Sequence, residues 1–153
     1  MMAAVMEKTV LIHGRSPDEV LDFCLDGANF PLIFPEPIRP IGKVDPTQLK
    51  ITVGREFEFL HWMLYCIPCK WRVRIAQVHP GTAFVDQMLR GPMKRLRHEH
   101  IVRPDPCGTL YTDLVSYEAY GGRLVEKLFV NRYMNRLFEA RHRNMRRLLE
   151  NIP

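Results

Sequence analysis

The chain has 153 residues, enough for one domain with a sizeable core, and its 46% hydrophobic and 25% charged residues are those of an ordinary globular protein. Its 22 basic against 17 acidic residues give a formal net charge of +5, which suits an anionic partner in principle. The longest apolar run, Phe59 to Cys69, is interrupted by His61 and Pro68 and is shorter than the ~20 residues needed to cross a bilayer. Glu7 and Lys8 fall where a secretory signal would need its apolar centre, so a cytoplasmic protein without stable membrane insertion is expected.

In chain order, Glu7 to His13 alternates loosely and predicts a first strand. Ser16-Pro17-Asp18-Glu19 is a helix start: Ser16 caps, Pro17 suits the first helical position, and Glu19 completes a capping box. Val20, Leu21 and Cys24 supply the buried side, and Gly27 ends the helix. One further helical turn is expected within Ala28 to Phe34. Pro35, Pro37 and Pro40 then forbid a regular helix, and Ile38 to Val44 is expected as a strand at a sheet edge. Asp45-Pro46 is a turn, and a sustained strand pattern runs from Arg55 to Tyr65.

Cys66 and Cys69 have the spacing of a redox or zinc pair, but strand-like sequence flanks them and no second pair exists for a zinc ribbon. A hairpin turn is the expectation there. The remaining strands are predicted over Trp71 to Val78, Ala83 to Arg90, Lys94 to Arg103 and Thr109 to Glu118, with a bend at Gly91-Pro92. Short turns between successive strands imply an antiparallel meander.

Gly121-Gly122 leads into a single long helix, Arg123 to about Asn151. Val130, Tyr133, Met134, Leu137, Phe138, Met145, Leu148 and Leu149 form one buried stripe at i, i+3, i+4, i+7 spacing. The other face carries Arg132, Arg136, Arg143, Arg146 and Arg147. Much of the positive charge therefore belongs to a solvated helix face, and no nucleic-acid partner is expected. Exposed aromatics beside the arginines would be needed for a stacking surface, whereas Tyr133 and Phe138 lie on the apolar stripe.

The order strand, helix, antiparallel run, terminal helix is that of an α+β helix-grip fold, a curved antiparallel β-sheet wrapped around a long C-terminal α-helix. The local motifs occur in a telling order: Gly54-x-x-Phe57-x-Phe59, Ile67-Pro68-x-x-Trp71, Phe84-Val85-Asp86-Gln87, Arg90-Gly91-Pro92, Arg97-His98-x-His100 and Gly108-Thr109-Leu110-x-Thr112-Asp113. Together they resemble the START-like, birch-allergen-like (SRPBCC) superfamily across nearly the whole chain, as one domain over 1–153. More narrowly, they resemble its bacterial polyketide cyclase/dehydrase-like and ligand-binding members. The resemblance implies a deep apolar cavity between sheet and helix that takes a hydrophobic or aromatic, lipid- or polyketide-like molecule. It implies a pocket and not a reaction. Many relatives carry Trp near Leu96, so a roomier wall is expected here.

Strand alternation assigns the cavity face. On the first long strand it takes Phe57, Phe59, His61 and Met63; on the next, Trp71, Val73 and Ile75. Phe84, Met88, His98 and His100 follow, then Asp113, Val115 and Tyr117, with Met134 and Phe138 facing them from the helix. His61, Asp86, His98, His100 and Asp113 share these parities, and ionisable groups on an apolar face are expensive unless they pair. Asp86 or Asp113 beside His98 or His100 would form such a pair.

Three readings remain open for these groups: a buried hydrogen-bond network that fixes register, a polar floor that orients a ligand, and acid–base catalysis of cyclisation or dehydration. The catalytic candidates are His98, His100, Asp86 and Asp113. His98 and His100 stand roughly 7 Å apart along the strand and can share a metal only if Asp86, Asp113 or His61 converges as a third ligand. No metal and no cofactor are expected.

Overall fold

The computed structural model describes residues 3–152. Seven strands form one antiparallel sheet in the order β1-β7-β6-β5-β4-β3-β2. They are β1 (Ala4–His13), β2 (Ile38–Pro40), β3 (Glu56–Met63), β4 (Ile67–His79), β5 (Ala83–Arg90), β6 (Met93–Asp105) and β7 (Gly108–Ala119). Strands β2 to β7 are a continuous meander, and β1 closes the order by pairing with β7 from Ala4↔Tyr117 to His13↔Gly108. The α+β helix-grip architecture expected from the sequence is what the chain adopts.

Gly108 makes the β1–β7 junction possible. A side chain there would bring its Cβ within 2.0 Å of the Ile12 carbonyl oxygen, and its φ of +151° lies in a range that favours glycine.

Helix α1 (Pro17–Leu25) starts as its sequence dictates. The Ser16 side chain accepts from the Glu19 amide, and the Glu19 carboxylate accepts from the Ser16 amide at 2.7 Å. The expected extra turn is a short 3-10 turn over Gly27–Asn29 followed by α2 (Phe30–Ile33). The edge strand is shorter than Ile38 to Val44. Ile38–Pro40 pairs with β3, the Ile41 amide still donates to the Glu58 carbonyl at 3.0 Å, and the chain then bends at Gly42, whose φ is +85°.

The β3–β4 hairpin turns at Leu64 and Tyr65, both with positive φ, placing Cys66 exposed in the turn and Cys69 half-buried on β4. The predicted Gly91-Pro92 bend separates β5 from β6, and the register of β6 on β7 shifts just beyond it, between Met93 and Arg95.

The terminal helix runs from Gly122 to Glu150, but not as one uniform element. After α3 (Gly122–Val125) comes a π-helical segment over Glu126–Val130, then α4 (Asn131–Glu150). Two ties to β7 flank the wider turn. The buried Glu126 carboxylate accepts from the Ala119 amide at 2.8 Å, and the Tyr117 hydroxyl donates to the Asn131 side-chain oxygen. Nothing in the apolar period signals this segment, because π turns add one residue without changing composition.

The helix packs over β1 and β7. One core cluster joins Ile12, Val20, Leu21, Phe84, Tyr111 and Met145 beneath its C-terminal half, and another joins Met6, Met93, Val115, Tyr117, Met134 and Phe138 beneath its first turns. Arg132, Arg136, Arg143, Arg146 and Arg147 are exposed on its outer side. Because the helix lies toward the β1 side, the β3–β4 half of the concave face is left uncovered by it.

Candidate functional site: a cavity with a polar floor

The uncovered half of the sheet encloses a cavity of about 650 Å³ between β3–β6, the helix and the α1–α2 segment. Its walls are mostly apolar and aromatic. Phe59 stacks on Trp71 with centroids 5.8 Å apart and planes 10° from parallel, and Phe30 meets the edge of Phe59 at 5.3 Å.

Of the residues expected at the cavity, Phe57, Phe59, His61, Met63, Trp71, Val73, Phe84, His98 and His100 line it, as do Met134 and Phe138 from the helix. Leu96, where the resemblance pointed to a roomier wall, is also at the surface of the cavity.

Met88, Asp113, Val115 and Tyr117 do not line it. Val115 and Tyr117 are sealed against Met134 and Phe138 in the core, and Met88 packs at the margin of that cluster. Asp113 is fully buried beneath Arg141 and His142 of the helix. Strand parity chose the correct face for all four, but it carries no information on which part of that face the helix covers.

Asp113 organises the polar residues behind the cavity. One carboxylate oxygen accepts from His98 Nε2 at 2.7 Å and from the Tyr111 hydroxyl at 2.6 Å. The other accepts from His142 Nε2 at 2.7 Å and from Arg141. A carboxylate has about four lone-pair sites, and here four donors fill them. Burial works to raise the Asp113 pKa, but the Arg141 guanidinium and the donors around it hold the carboxyl well below its usual range. Asp113 is therefore an ionised, saturated anchor and cannot take a proton from a bound molecule.

These contacts propagate to the cavity floor. Tyr111 gives its only hydroxyl proton to Asp113, so its oxygen accepts from Arg141 at 3.1 Å and from His100 Nδ1 at 2.8 Å. Across β5, Asp86 Oδ2 lies 2.7 Å from His100 Nε2 and 3.6 Å from His98 Nδ1. The two imidazoles are close neighbours, with centroids 3.7 Å apart, and Phe84 stacks on His100 at 3.9 Å. Burial, followed by the neighbouring His98, lowers the His100 pKa to about 4 in spite of Asp86. Burial also works to raise the Asp86 carboxyl, but the two histidines outweigh it and leave it below its usual value.

A second polar group sits on the β3 side. Glu36, buried between Pro35 and Pro37, accepts from Tyr133, from the Leu64 amide and from His61 Nε2 at 3.0 Å. His61 is buried, and desolvation lowers its pKa despite the carboxylate beside it. With its Nε2–H given to Glu36, the ring keeps an acceptor at Nδ1. That atom and the Trp71 indole N–H are the two buried side-chain polar atoms without a partner among the described residues, and both residues line the cavity.

Four members of these networks escaped the sequence reading. Arg141 and His142 were legible in principle, because the buried stripe passes from Phe138 to Met145 and its period requires positions 141 and 142 on the same face. Tyr111 shares the parity of Asp113 and Val115 and could have been placed with them. Glu36 carries no periodic signal, since it sits in a proline-bracketed loop. Cys24 also borders the cavity, but burial pushes its thiol up to about 12, which removes it as a nucleophile.

No family model and no curated protein matches this chain. Solved structures do. A START superfamily protein from Mycobacterium smegmatis is similar at 11% identity and TM-score 0.70, over 97% of this chain and 99% of that one. The major latex-like protein 151 of Panax ginseng is similar at 10% identity and TM-score 0.70, over 100% of both chains. The di-domain ARO/CYC StfQ of the steffimycin biosynthetic pathway is similar at 11% identity and TM-score 0.73, over 97% of this chain and 51% of that one. The chain thus has the helix-grip fold of the START-like, birch-allergen-like (SRPBCC) superfamily. At such identities the fold alone is shared.

Proposed function

We propose that the protein binds a hydrophobic or aromatic small molecule, lipid- or polyketide-like, in the cavity between the sheet and the C-terminal helix. The observation that carries this reading is the cavity itself: about 650 Å³, walled by Phe57, Phe59, Trp71, Val73, Met134 and Phe138. That volume suits a drug-sized ligand, and apolar walls with a few placed polar atoms are the usual make-up of such pockets. Burying ~150 Å² of apolar ligand surface contributes roughly 4 kcal/mol at 25 cal/mol per Å². A single net hydrogen bond contributes about 0.5–1.5 kcal/mol. Area therefore sets affinity, and polar atoms set preference.

His61 and Trp71 sit side by side on the cavity wall, ring centroids 6.1 Å apart, and carry one acceptor and one donor without a partner among the described residues. A ligand hydroxyl that reached both would be preferred over its deoxy analogue. The test is titration with an apolar fluorescent probe, displaced by a hydroxylated polycyclic aromatic and by its deoxy parent. Saturable probe binding with tighter displacement by the hydroxylated compound is expected. Absence of saturable binding by the folded protein would overturn the proposal.

A second reading is a polyketide cyclase- or dehydratase-type enzyme in which a His/Asp pair moves a proton. One observation favours it: the Asp86–His100 pair, at 2.7 Å, lines the cavity. The ARO/CYC label of one structural neighbour points the same way. Asp113 drops out of that role because its lone pairs are filled. The two readings separate by turnover, since a carrier returns its ligand unchanged.

A further inference from the structure

The hydrogen-bond pattern around Asp113 decides where the protons of the cavity floor reside. An ionised carboxylate can only accept, so the Asp113 contacts place a proton on His98 Nε2 and keep the Tyr111 proton on the Tyr111–Asp113 bond. Tyr111 oxygen must then accept from His100, which places the His100 proton on Nδ1. The outer nitrogens, His98 Nδ1 and His100 Nε2, are left turned toward one oxygen of Asp86, at 3.6 Å and 2.7 Å. At 3.6 Å the His98 nitrogen is beyond hydrogen-bond reach of that oxygen. At 2.7 Å, His100 Nε2 and the Asp86 oxygen need a cation between them, either a proton or a metal ion.

We propose that Asp86, His98 and His100 bind one divalent first-row transition-metal ion at the floor of the cavity. Their ligand atoms all lie within 4.8 Å of one another. Ligands ~2.0–2.1 Å from a tetrahedral zinc stand roughly 3.3 Å apart, and the separations of 2.7 Å and 3.6 Å bracket that value.

Each histidine also has the outer partner expected of a metal ligand. A ligating imidazole almost always donates its other N–H to a carboxylate or another oxygen, which fixes its tautomer and orientation. Asp113 does this for His98, and the Tyr111 oxygen does it for His100. The donor set selects the metal class, because two imidazole nitrogens and one carboxylate favour zinc, iron or nickel over magnesium or calcium. Three protein ligands leave a coordination position open. All three residues line the cavity, so that position faces a bound molecule and suits an oxygen or nitrogen donor on it. The ion binds whether or not the cavity holds an organic ligand, so this proposal stands apart from the one above.

The test uses the full chain stripped with a chelator, followed by calorimetric titration with Zn²⁺ at neutral pH and by visible spectroscopy with Co²⁺. One Zn²⁺ per chain with sub-micromolar affinity is expected, with Co²⁺ bands that lack a thiolate charge-transfer component. Asp86→Asn and His100→Gln should each weaken binding about 100-fold or more, beyond the ~10–100-fold typical of outer-shell losses. The double variant Cys66→Ser, Cys69→Ser should bind as the parent does. Asp86 makes no contact with Asp113, so Asp86→Asn carries the test if His100→Gln fails to fold. Absence of stoichiometric binding, meaning that a shared proton fills the floor, would overturn the proposal. So would binding that survives both ligand substitutions, which would place the ion elsewhere.

Discussion

Asp113 shows how one buried charge can be held without water. Its carboxylate has no solvent exposure, and isolating such a charge costs several kcal/mol unless a counterion and hydrogen bonds compensate it. Arg141 supplies the counterion, with His98, His142 and Tyr111 as further donors. Removing one partner leaves the other charge buried alone, so Asp113→Asn is expected to cost about 3–5 kcal/mol by urea denaturation. A loss below about 1 kcal/mol would mean that the network is not a unit. The sequence reading found His98, His100, Asp86 and Asp113 together but could not say which aspartate faced the cavity. That assignment depends on Arg141 and His142 covering β7, a tertiary fact that alternation along a strand does not encode. His61 gives a pH prediction with a definite sign. Its folded-state pKa is depressed by burial, so the unfolded chain binds more protons between the folded pKa and the ordinary value of about 6.5. The stability His61 contributes is present at neutral pH and declines as pH falls below that value. Denaturation at pH 7 and pH 5 should show wild type losing more than His61→Gln, and equal losses would refute the assignment.

At the scale of elements, the terminal helix divides cleanly into two faces. Met145 has no exposure and sits in the cluster with Ile12, Val20 and Tyr111, whereas Arg143 is exposed. Met145→Ala is expected to cost roughly 2–5 kcal/mol and Arg143→Ala less than about 0.5 kcal/mol, read as shifts in thermal or denaturant midpoints. Equal small losses would contradict the packing of the helix on the sheet. The elements that could be read from sequence were those with a local cause. Ser16, Pro17 and Glu19 specify the start of α1 by themselves, and the β5–β6 junction announces itself by the Gly91-Pro92 bend. The π-helical segment over Glu126–Val130 was not legible. It coincides with ties back to Ala119 and Tyr117 of β7, which the apolar period of the helix does not predict. The edge strand was overread for a related reason: a strand exists only where a partner pairs with it, and the last bond to β3 comes from the Ile41 amide, just before the bend at Gly42.

For the whole molecule, the decisive feature is the offset of the helix toward β1 and β7, which fills one half of the concave face and leaves the other as a cavity. The fold was legible in the order of elements and motifs, but the boundary between core and cavity was not, and this is why Val115 and Tyr117 were expected at a surface they do not reach. The net charge of +5 belongs largely to the exposed arginines of the helix, and no tight, salt-sensitive nucleic-acid binding is expected at physiological ionic strength. A mobility-shift assay with sub-micromolar affinity that weakens steeply as salt rises would contradict that. The central claim is that the space between β3–β6 and the helix is where an apolar molecule binds. The most direct measurement is apolar-probe titration of Val73→Trp, because Val73 lines the cavity on β4 and a tryptophan there occupies ligand volume. With the circular dichroism spectrum unchanged, the variant is predicted to lose at least about tenfold in probe affinity, equivalent to ~1.4 kcal/mol. A folded Val73→Trp protein that binds the probe as tightly as wild type would show that the ligand does not bind there.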